Sequence, residues 1–287
     1  MKIILLFFAA FYSLAQATVL NYSPDGSANF AASPAPTYHP SGYVKTGYLT
    51  GSNQALHYTW IADGHLSGHY ETATIKNGAY VTFSTDGYVV SGTLSGNQSL
   101  IVDTFLSIQF KDNTAINFTW ERASGGTLLN AETLSYGLGV ETITLKSGTA
   151  VGFEYGWVTN GTLSNTAQLV PYRNIDGIYT KAKLIGGTTV SFSASRLLYQ
   201  GSLDYSVAVE YGPSRSAYLS GPATFNQPWN SGYVSHGTTW ASSAQTLFAK
   251  YYSLTTGYTG MSDWISVPAS STNYFMDGAV YRQAADD

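Results

Sequence analysis

The chain of 287 residues contains no cysteine. This absence excludes disulfide bonds, thiolate metal sites and cysteine nucleophiles. A fold of this length without disulfide bonds has to be held together by buried apolar surface and by hydrogen bonds between backbone groups. The chain is long enough to bury a sizeable core, so nothing in its length opposes such a fold.

Charged side chains are scarce, at 10% of the residues, and 13 Lys and Arg against 17 Asp and Glu give a net charge of -4. No cluster of basic residues is available to neutralise phosphates, so nucleic-acid binding is disfavoured. After the first 17 residues no apolar run is long enough to cross a membrane as a helix. We therefore predict neither a nucleic-acid partner nor a membrane span.

Helical periodicity is missing as well, because apolar residues at spacings of three and four are nowhere sustained over three turns. The best helix candidate, residues 241–251, is short and rich in Ser, Thr and β-forming residues. The Gly-x-Ser-x-Gly motif of serine hydrolases and the Asp-rich loop of calcium sites are also absent. The sequence therefore predicts an all-β protein without a recognisable catalytic motif and without a cofactor.

The start of the chain has the pattern of an export signal. Residues 1–17 hold one lysine, an apolar run and a final Ala-Gln-Ala, which predicts a secretory signal peptide cleaved after Ala17. A membrane anchor is the alternative, but the run is shorter than the ~20 residues that a span needs. Residues 18–35 are rich in Ser, Ala, Pro and Asn and predict an extended lead-in. Export without cysteine favours a secreted or cell-surface bacterial protein.

From residue 36 onward the chain follows a repeat whose clearest signature is Gly-Thr-Leu. The first glycine of this signature recurs at intervals of 34 to 45 residues, at Gly47, Gly92, Gly126, Gly161, Gly201, Gly237 and Gly278. Between these glycines, short runs alternate apolar and polar residues and are bounded by turn residues, which predicts about four short strands in each unit. We therefore predict a single β-repeat domain over residues 36–287 with about seven units.

The segment around Gly148 illustrates the predicted local structure. Ile143 and Leu145 share one face of a strand, Val151 and Phe153 share one face of the next, and Gly148 supplies the positive φ of a tight turn. This pattern predicts a β-hairpin with one buried face. A second turn is predicted at residues 154–156.

Two architectures are compatible with seven such units. One is an elongated, twisted antiparallel array of β-hairpins, similar to a solenoid, and the other is a seven-bladed β-propeller. Hairpins with similar turns follow one another at roughly 17 to 20 residues, and this short period favours the linear array.

The repeat resembles a known type. The segment Val81-Thr82-Phe83, followed by Gly87-Tyr88-Val89 and then Gly92-Thr93-Leu94, is similar to variant repeats related to MORN repeats in exported bacterial proteins. The similarity extends over residues 36–280, although the Tyr-x-Gly start and the higher charge of MORN repeats are missing. The resemblance implies a β-hairpin repeat fold, and arrays of this kind commonly serve as scaffolds or contact surfaces for proteins and lipids.

A divalent metal site is one candidate for chemistry. His65, His69 and Glu71 have the same parity on a strand, so two imidazoles and a carboxylate would project from one face. Gly64 and Gly68 make this stretch rich in turns, and exposed histidines on a sheet surface are the plainer interpretation.

The aromatic content, 15% of the chain, is the stronger functional signal. Flat aromatic rings stack on sugar rings and anchor protein interfaces. The plainer interpretation is that Trp and Tyr suit a half-buried pleated surface. The candidate binding residues are Trp60, Trp120, Trp157, Trp229, Trp240 and Trp264.

These observations favour an exported, non-enzymatic β-repeat protein of the surface or envelope. We expect it to act in self-assembly, adhesion or the binding of a glycan or a surface protein, because open ends of a sheet favour pairing with a second copy. The alternative is a secreted carbohydrate-active enzyme on a propeller or sheet scaffold. Such an enzyme needs two acids held within ~5 to 10 Å, for which Glu121 and Glu154 are the candidates.

Overall fold

The computed structural model describes most of the chain as β-strands joined by short connections, and the described residues contain no helix. The described residues are 17–64, 67–136, 141–173, 179–194, 196–212, 215–225, 234–241, 244–252, 259–276 and 279–283. All of the predicted signal peptide except Ala17 lies outside them. The predicted all-β class is confirmed, and residues of the best helix candidate belong to strands.

The strands are numbered along the chain. They are β1 (Ala17–Ser23), β2 (Gly26–Ala31), β3 (Thr37–Tyr38), β4 (Val44–Tyr48), β5 (Gln54–Gly64), β6 (Ser67–Ile75), β7 (Tyr80–Phe83), β8 (Val89–Thr93), β9 (Gln98–Asp103), β10 (Leu106–Phe110), β11 (Ala115–Thr119), β12 (Arg122–Thr127), β13 (Glu132–Ser135), β14 (Thr142–Leu145), β15 (Ala150–Glu154), β16 (Trp157–Thr162), β17 (Gln168–Arg173), β18 (Tyr179–Leu184), β19 (Thr189–Phe192), β20 (Leu198–Gly212), β21 (Arg215–Phe225), β22 (Val234–Ala241), β23 (Gln245–Tyr252), β24 (Thr259–Val267), β25 (Ser271–Met276) and β26 (Ala279–Gln283).

The chain forms two compact units. Unit 1 comprises Met1–Gln98 and Asp112–Glu121, and unit 2 comprises Ser99–Lys111 and Arg122–Asp287. The residues predicted as a lead-in form hairpin β1–β2 of unit 1, in which Tyr22 and Phe30 are buried. These residues are therefore part of the packed structure of unit 1.

Unit 1 contains a five-stranded antiparallel sheet in the order β3–β4–β7–β8–β11. The hairpins β1–β2 and β5–β6 pack against it. Two stacked ring pairs join the layers: Tyr22 lies on Phe83 at 4.6 Å, and Tyr58 lies on Phe118 at 4.7 Å. A propeller blade would take its strands from one repeat, whereas this sheet takes them from successive repeats, as expected for a hairpin array.

Unit 2 is built from similar parts. Hairpins β9–β10 and β13–β14 form separate two-stranded sheets. A larger antiparallel sheet runs from β12 through β15, β16, β19, β20, β21, β22 and β25 to β26. Strand β26 pairs in parallel with β23, which in turn forms a hairpin with β24. The antiparallel hairpin arrangement predicted from the repeat is confirmed.

The structure explains the glycine of the repeat signature. The leucine two residues after this glycine forms an isolated β-bridge with an apolar residue of the opposite hairpin, and both partners are buried. A Cβ on the glycine would lie 2.8 Å from the ring of Phe30 at Gly47, and 2.9 Å from Leu145 at Gly161. The bridges are Phe30–Leu49, Ile75–Leu94, Phe110–Leu128 and Leu145–Leu163. The signature glycine is therefore required because the bridging side chain occupies the space of its Cβ.

A glutamine that the sequence interpretation missed also recurs with the repeat. Gln98 accepts a hydrogen bond from the N–H of Thr74 at 2.8 Å and donates to the carbonyl of Thr74 at 2.7 Å. One amide side chain thus satisfies both backbone groups of a residue in the preceding hairpin. The same pair of bonds joins Gln54 to Asn29, Gln168 to Thr144 and Gln245 to Tyr218.

The predicted hairpin around Gly148 is wrong in its pairing. Strand β14 pairs with β13, whereas β15 pairs with β12 and β16, so β14 and β15 lie in different sheets. Gly148 has the expected positive φ of 70° and donates to the carbonyl of Leu128 at 2.8 Å. A turn with this geometry can either close a hairpin or lead the chain into another sheet. The sequence pattern around Gly148 therefore does not determine which strands pair. The second predicted turn, at residues 154–156, does close hairpin β15–β16.

Candidate functional site

The structure does not bring the predicted tryptophans together in one site. Trp60 and Trp120 belong to unit 1, with 43% and 76% of their surface exposed. Trp157 is half-buried in unit 2, where 54% of Trp264 is exposed. Trp229 lies outside the described residues, and Trp240 lies in β22. Trp60 contacts the ring of Tyr70, which in turn contacts the rings of His57 and Tyr88.

We call the group of His57, Trp60, Tyr70 and Tyr88 in unit 1 the aromatic patch. Trp60 and Tyr70 are direct partners across hairpin β5–β6, and their rings meet edge to face at 4.6 Å. The imidazole of His57 stacks on Tyr70 at 4.2 Å with an angle of 3° between the ring planes. Tyr88 follows at 6.3 Å from Tyr70. The four rings form a continuous surface cluster.

A β-bulge places Trp60 on the outside of its strand. Leu56 and Tyr58 have the same parity as Trp60 and are fully buried, so a regular strand would turn Trp60 inward. The register of β5 against β6 shifts between His57 and Thr59. Because one extra residue reverses the alternation beyond it, Trp60 points to solvent. A pattern of strict alternation does not reveal this reversal.

The turn of hairpin β7–β8 positions Tyr88. Gly87 adopts a φ of 83° and its N–H donates to the carbonyl of Ser84, while the N–H of Tyr88 donates to the Ser84 hydroxyl. A Cβ at Gly87 would collide with Ser23 of hairpin β1–β2. The turn is therefore fixed closely against β1, and the side chain of Tyr88 is held beside the patch.

Tyr22 supports the patch from below. It is fully buried, stacks on Phe83, and its hydroxyl accepts a hydrogen bond from the N–H of His57 at 3.5 Å. Its ring also meets the imidazole of His57 edge to face at 6.0 Å. These contacts anchor His57, and through His57 the ring of Tyr70, to the core of unit 1.

Two carboxylates flank the patch. Asp25, in the turn between β1 and β2, accepts a hydrogen bond from the Tyr70 hydroxyl at 3.2 Å. Glu121 accepts one from the Thr59 hydroxyl at 3.3 Å. Trp120 and Glu121 have positive φ values of 51° and 60°, a conformation that non-glycine residues seldom adopt. Their positions are set by the two-residue turn after β11.

Burial and the two carboxylates set the protonation states of the patch. Burial and the hydrogen bond to Asp25 raise the pKa of Tyr70. Burial, followed by the charge of Glu121, raises the pKa of Tyr88. Burial lowers the pKa of His57, against a smaller opposing effect of Asp25. Near neutral pH the phenols of Tyr70 and Tyr88 are therefore protonated and His57 is neutral.

The predicted metal ligands are only partly described. The Nε2 atom of His69 lies 3.1 Å from a carboxylate oxygen of Glu71 on the exposed surface of β6. His65 lies outside the described residues. Within the described part of the chain, no group of three or more His, Cys, Asp and Glu side chains could hold a metal ion. The metal site stays a prediction.

The aromatic side chains of unit 2 are arranged differently. The guanidinium of Arg196 lies 4.6 Å from the centre of the Trp157 ring. Burial lowers the pKa of Arg196, and the charge of Glu154 acts in the opposite direction. Trp264 meets Phe248 edge to face at 5.6 Å, and Arg215 covers the ring of Phe248 at 3.6 Å. Two of the aromatic rings in unit 2 thus have an arginine as a partner on one face.

Comparisons with other proteins add no family assignment. The chain matches no protein-family model, no curated protein and no solved structure. In the part of the chain that the structure describes, no helix is long and apolar enough to cross a membrane. The function has to be argued from the chemistry of the aromatic patch.

Proposed function

We propose that this is an exported, non-enzymatic β-repeat protein of the cell surface that binds a glycan through the aromatic patch of unit 1. The observation that carries the proposal is the contact between the exposed indole of Trp60 and Tyr70, whose hydroxyl donates to Asp25. Aromatic faces pack on the C–H faces of sugars. Carboxylates accept strong hydrogen bonds from sugar hydroxyls.

The rigidity of the patch supports this function. Stacking of His57 on Tyr70 and the buried ring of Tyr22 beneath them hold the rings in place before a ligand arrives. A preorganised site loses less conformational entropy on binding, which favours affinity for small, polar ligands such as oligosaccharides. The negative charge of Asp25 and Glu121 disfavours an acidic sugar.

The contacts of the two carboxylates fit binding better than turnover. Asp25 accepts from a phenol and Glu121 accepts from a threonine hydroxyl, so both are arranged as hydrogen-bond acceptors.

The test is a glycan array followed by calorimetry with the chain from Thr18 onward and its Trp60→Ala variant. We expect Trp60→Ala to bind the selected oligosaccharide at least about fivefold more weakly, since a stacked ring contributes on the order of 1 kcal/mol or more. Trp157→Ala is the matched control and should bind like the wild type. Circular dichroism verifies that both variants fold.

Two results would overturn the proposal. If Trp60→Ala binds the oligosaccharide as tightly as the wild type does, the glycan does not bind at the aromatic patch. Release of shorter sugars during prolonged incubation, abolished by Glu121→Gln, would instead support the alternative of a secreted carbohydrate-active enzyme.

A further inference from the structure

We propose that the outer face of the five-stranded sheet in unit 1 binds an extended, uncharged polysaccharide chain. This surface is separate from the aromatic patch, and its argument does not depend on the patch. It rests on the register of the sheet, which aligns polar uncharged side chains from all five strands. We call these residues the hydroxyl row: Thr37, Thr46, Thr82, Ser91 and Asn117.

Each member of the hydroxyl row is the direct partner of the next. Thr46 is opposite Thr37 on one side and opposite Thr82 on the other. Ser91 is likewise opposite Thr82 and Asn117. Neighbouring strands lie 4.7–4.9 Å apart, so the row extends over roughly 19 Å. A row of this length suits several consecutive sugar units of an extended chain better than a single small molecule.

The hydroxyls of the row are joined in pairs. Thr37 and Thr46 share a hydrogen bond of 2.6 Å, and Thr82 and Ser91 share one of 2.8 Å. A pair of hydroxyls has two hydrogens and uses one of them internally, so each pair retains one donor and several lone pairs. Sugar hydroxyls both donate and accept hydrogen bonds. The row can therefore satisfy both roles of such a ligand.

A pair of tyrosines adjoins the row. Tyr48 and Tyr80 lie two residues from Thr46 and Thr82 on the same strands, are direct partners, and have ring centres 5.0 Å apart. Their exposed fractions are 39% and 47%. The two rings supply an apolar surface beside the hydrogen-bonding row. Sugars require this combination, because they have apolar C–H faces and polar edges.

The charge of the face selects the kind of partner. None of the five residues of the hydroxyl row is ionisable. Apart from Lys45, which is exposed beside Thr46 in β4, the row offers a nucleic acid or an acidic polysaccharide no cation to neutralise it. A neutral polymer has no such requirement, so an uncharged polysaccharide fits the face best.

The experiment is a sedimentation assay of the full chain with insoluble cellulose, insoluble chitin and an insoluble cross-linked acidic polysaccharide. We expect binding to a neutral polymer that persists in 1 M NaCl, since salt screens contacts between charges and hardly affects hydrogen bonds or ring stacking. The double variant Tyr48→Ala/Tyr80→Ala should bind at least about tenfold more weakly. Thr46→Val should weaken binding about threefold, because it removes one hydroxyl pair while keeping the shape of the side chain.

The chain supplies a matched control for the threonine. Thr133 and Thr144 form the same kind of hydroxyl pair, at 2.9 Å, across β13–β14 of unit 2. Thr133→Val should leave polymer binding unchanged. The Tyr48→Ala/Tyr80→Ala variant should keep the affinity of the wild type for the oligosaccharide of the aromatic patch, so failure of the patch and failure of this face can be told apart.

Three outcomes would overturn the proposal. One is equal retention of the Tyr48→Ala/Tyr80→Ala variant and the wild type. The second is binding to the acidic polymer alone. The third is a concentration-dependent dimer in analytical ultracentrifugation that the double variant abolishes, because a second copy of the chain would then occupy this face.

Discussion

Trp60 in unit 1 and Trp157 in unit 2 show how the same residue type can serve different ends. Trp60 presents its ring to solvent, touches Tyr70, and belongs to a cluster flanked by two carboxylates. Trp157 is half-buried and lies under the guanidinium of Arg196. The first arrangement leaves an aromatic face for a ligand, whereas in the second a side chain of the protein occupies that position. The side chains around a tryptophan, more than the residue type itself, decide whether its ring can bind a ligand or makes a contact within the protein.

The interiors of the two units are alike, which sharpens this contrast. The same glycine, bridge and glutamine recur in both. Differences of function between the units therefore have to come from their surfaces. The following experiments test first the shared interior and then the different surfaces.

The largest effect is expected from filling the space of a signature glycine. In Gly47→Val the new side chain would meet the rigid ring of Phe30, and overpacking of this kind costs about 3 kcal/mol of unfolding free energy. In Gly161→Val the new side chain would meet the flexible Leu145, so about 2 kcal/mol is expected. Urea unfolding measures both. Thr72→Val, at an exposed strand position, is the control, and equal stability of all three variants would contradict the proposed role of the glycine.

Loss of the repeated glutamine should have the same effect in both units. Gln98→Leu and Gln168→Leu each remove hydrogen bonds to both backbone groups of one residue, at a cost of about 2 kcal/mol. Gln109→Leu removes only an exposed contact with Asn130 and should cost less than about 0.5 kcal/mol. Thermal unfolding distinguishes the two cases. A large difference between Gln98→Leu and Gln168→Leu would show that the interiors are not equivalent.

Removing Arg196 should make the ring of Trp157 more exposed to solvent and so more similar to that of Trp60. In Arg196→Ala the ring of Trp157 loses its cationic partner, at a cost of about 0.5–1 kcal/mol, and gains exposure. We expect iodide to quench the fluorescence of the variant more strongly than that of the wild type. Arg215→Ala, at the ring of Phe248, is the matched control. Quenching that matches the wild type would mean that Arg196 does not cover Trp157.

The smallest effect is expected from the titration of His57. Its pKa in the folded protein is lowered by burial from the ordinary value of 6.5. As the pH falls below 6.5 the unfolded chain takes up the proton first, so stability decreases until the pKa of the folded state is passed. His57→Phe keeps the stacking on Tyr70 and should remove this part of the pH dependence. The measurement is the difference in Tm between pH 7.5 and 5.5, compared for wild type and variant; an identical difference would contradict the assignment.

Much of the local structure was predictable, and the site was predictable only in part. Alternation identified the buried positions of β14 and β15, and the positive φ of Gly148 was expected from its turn. Trp60 was identified as a candidate by its residue type. Tyr70 and Asp25 were missed, since they are far apart in sequence and meet only when β1–β2 packs beside β5–β6.

The sequence by itself determined the all-β class, the short strands, the turns and the recurring glycine, because alternation and turn chemistry act over a few residues. The tertiary structure decided which strands pair, since the turn at Gly148 suits either a hairpin or a crossing between sheets. It also decided that Trp60 faces solvent, because the bulge in β5 arises from pairing with β6. Long-range pairing selects among several locally acceptable structures, and both candidate surfaces of unit 1 depend on that selection.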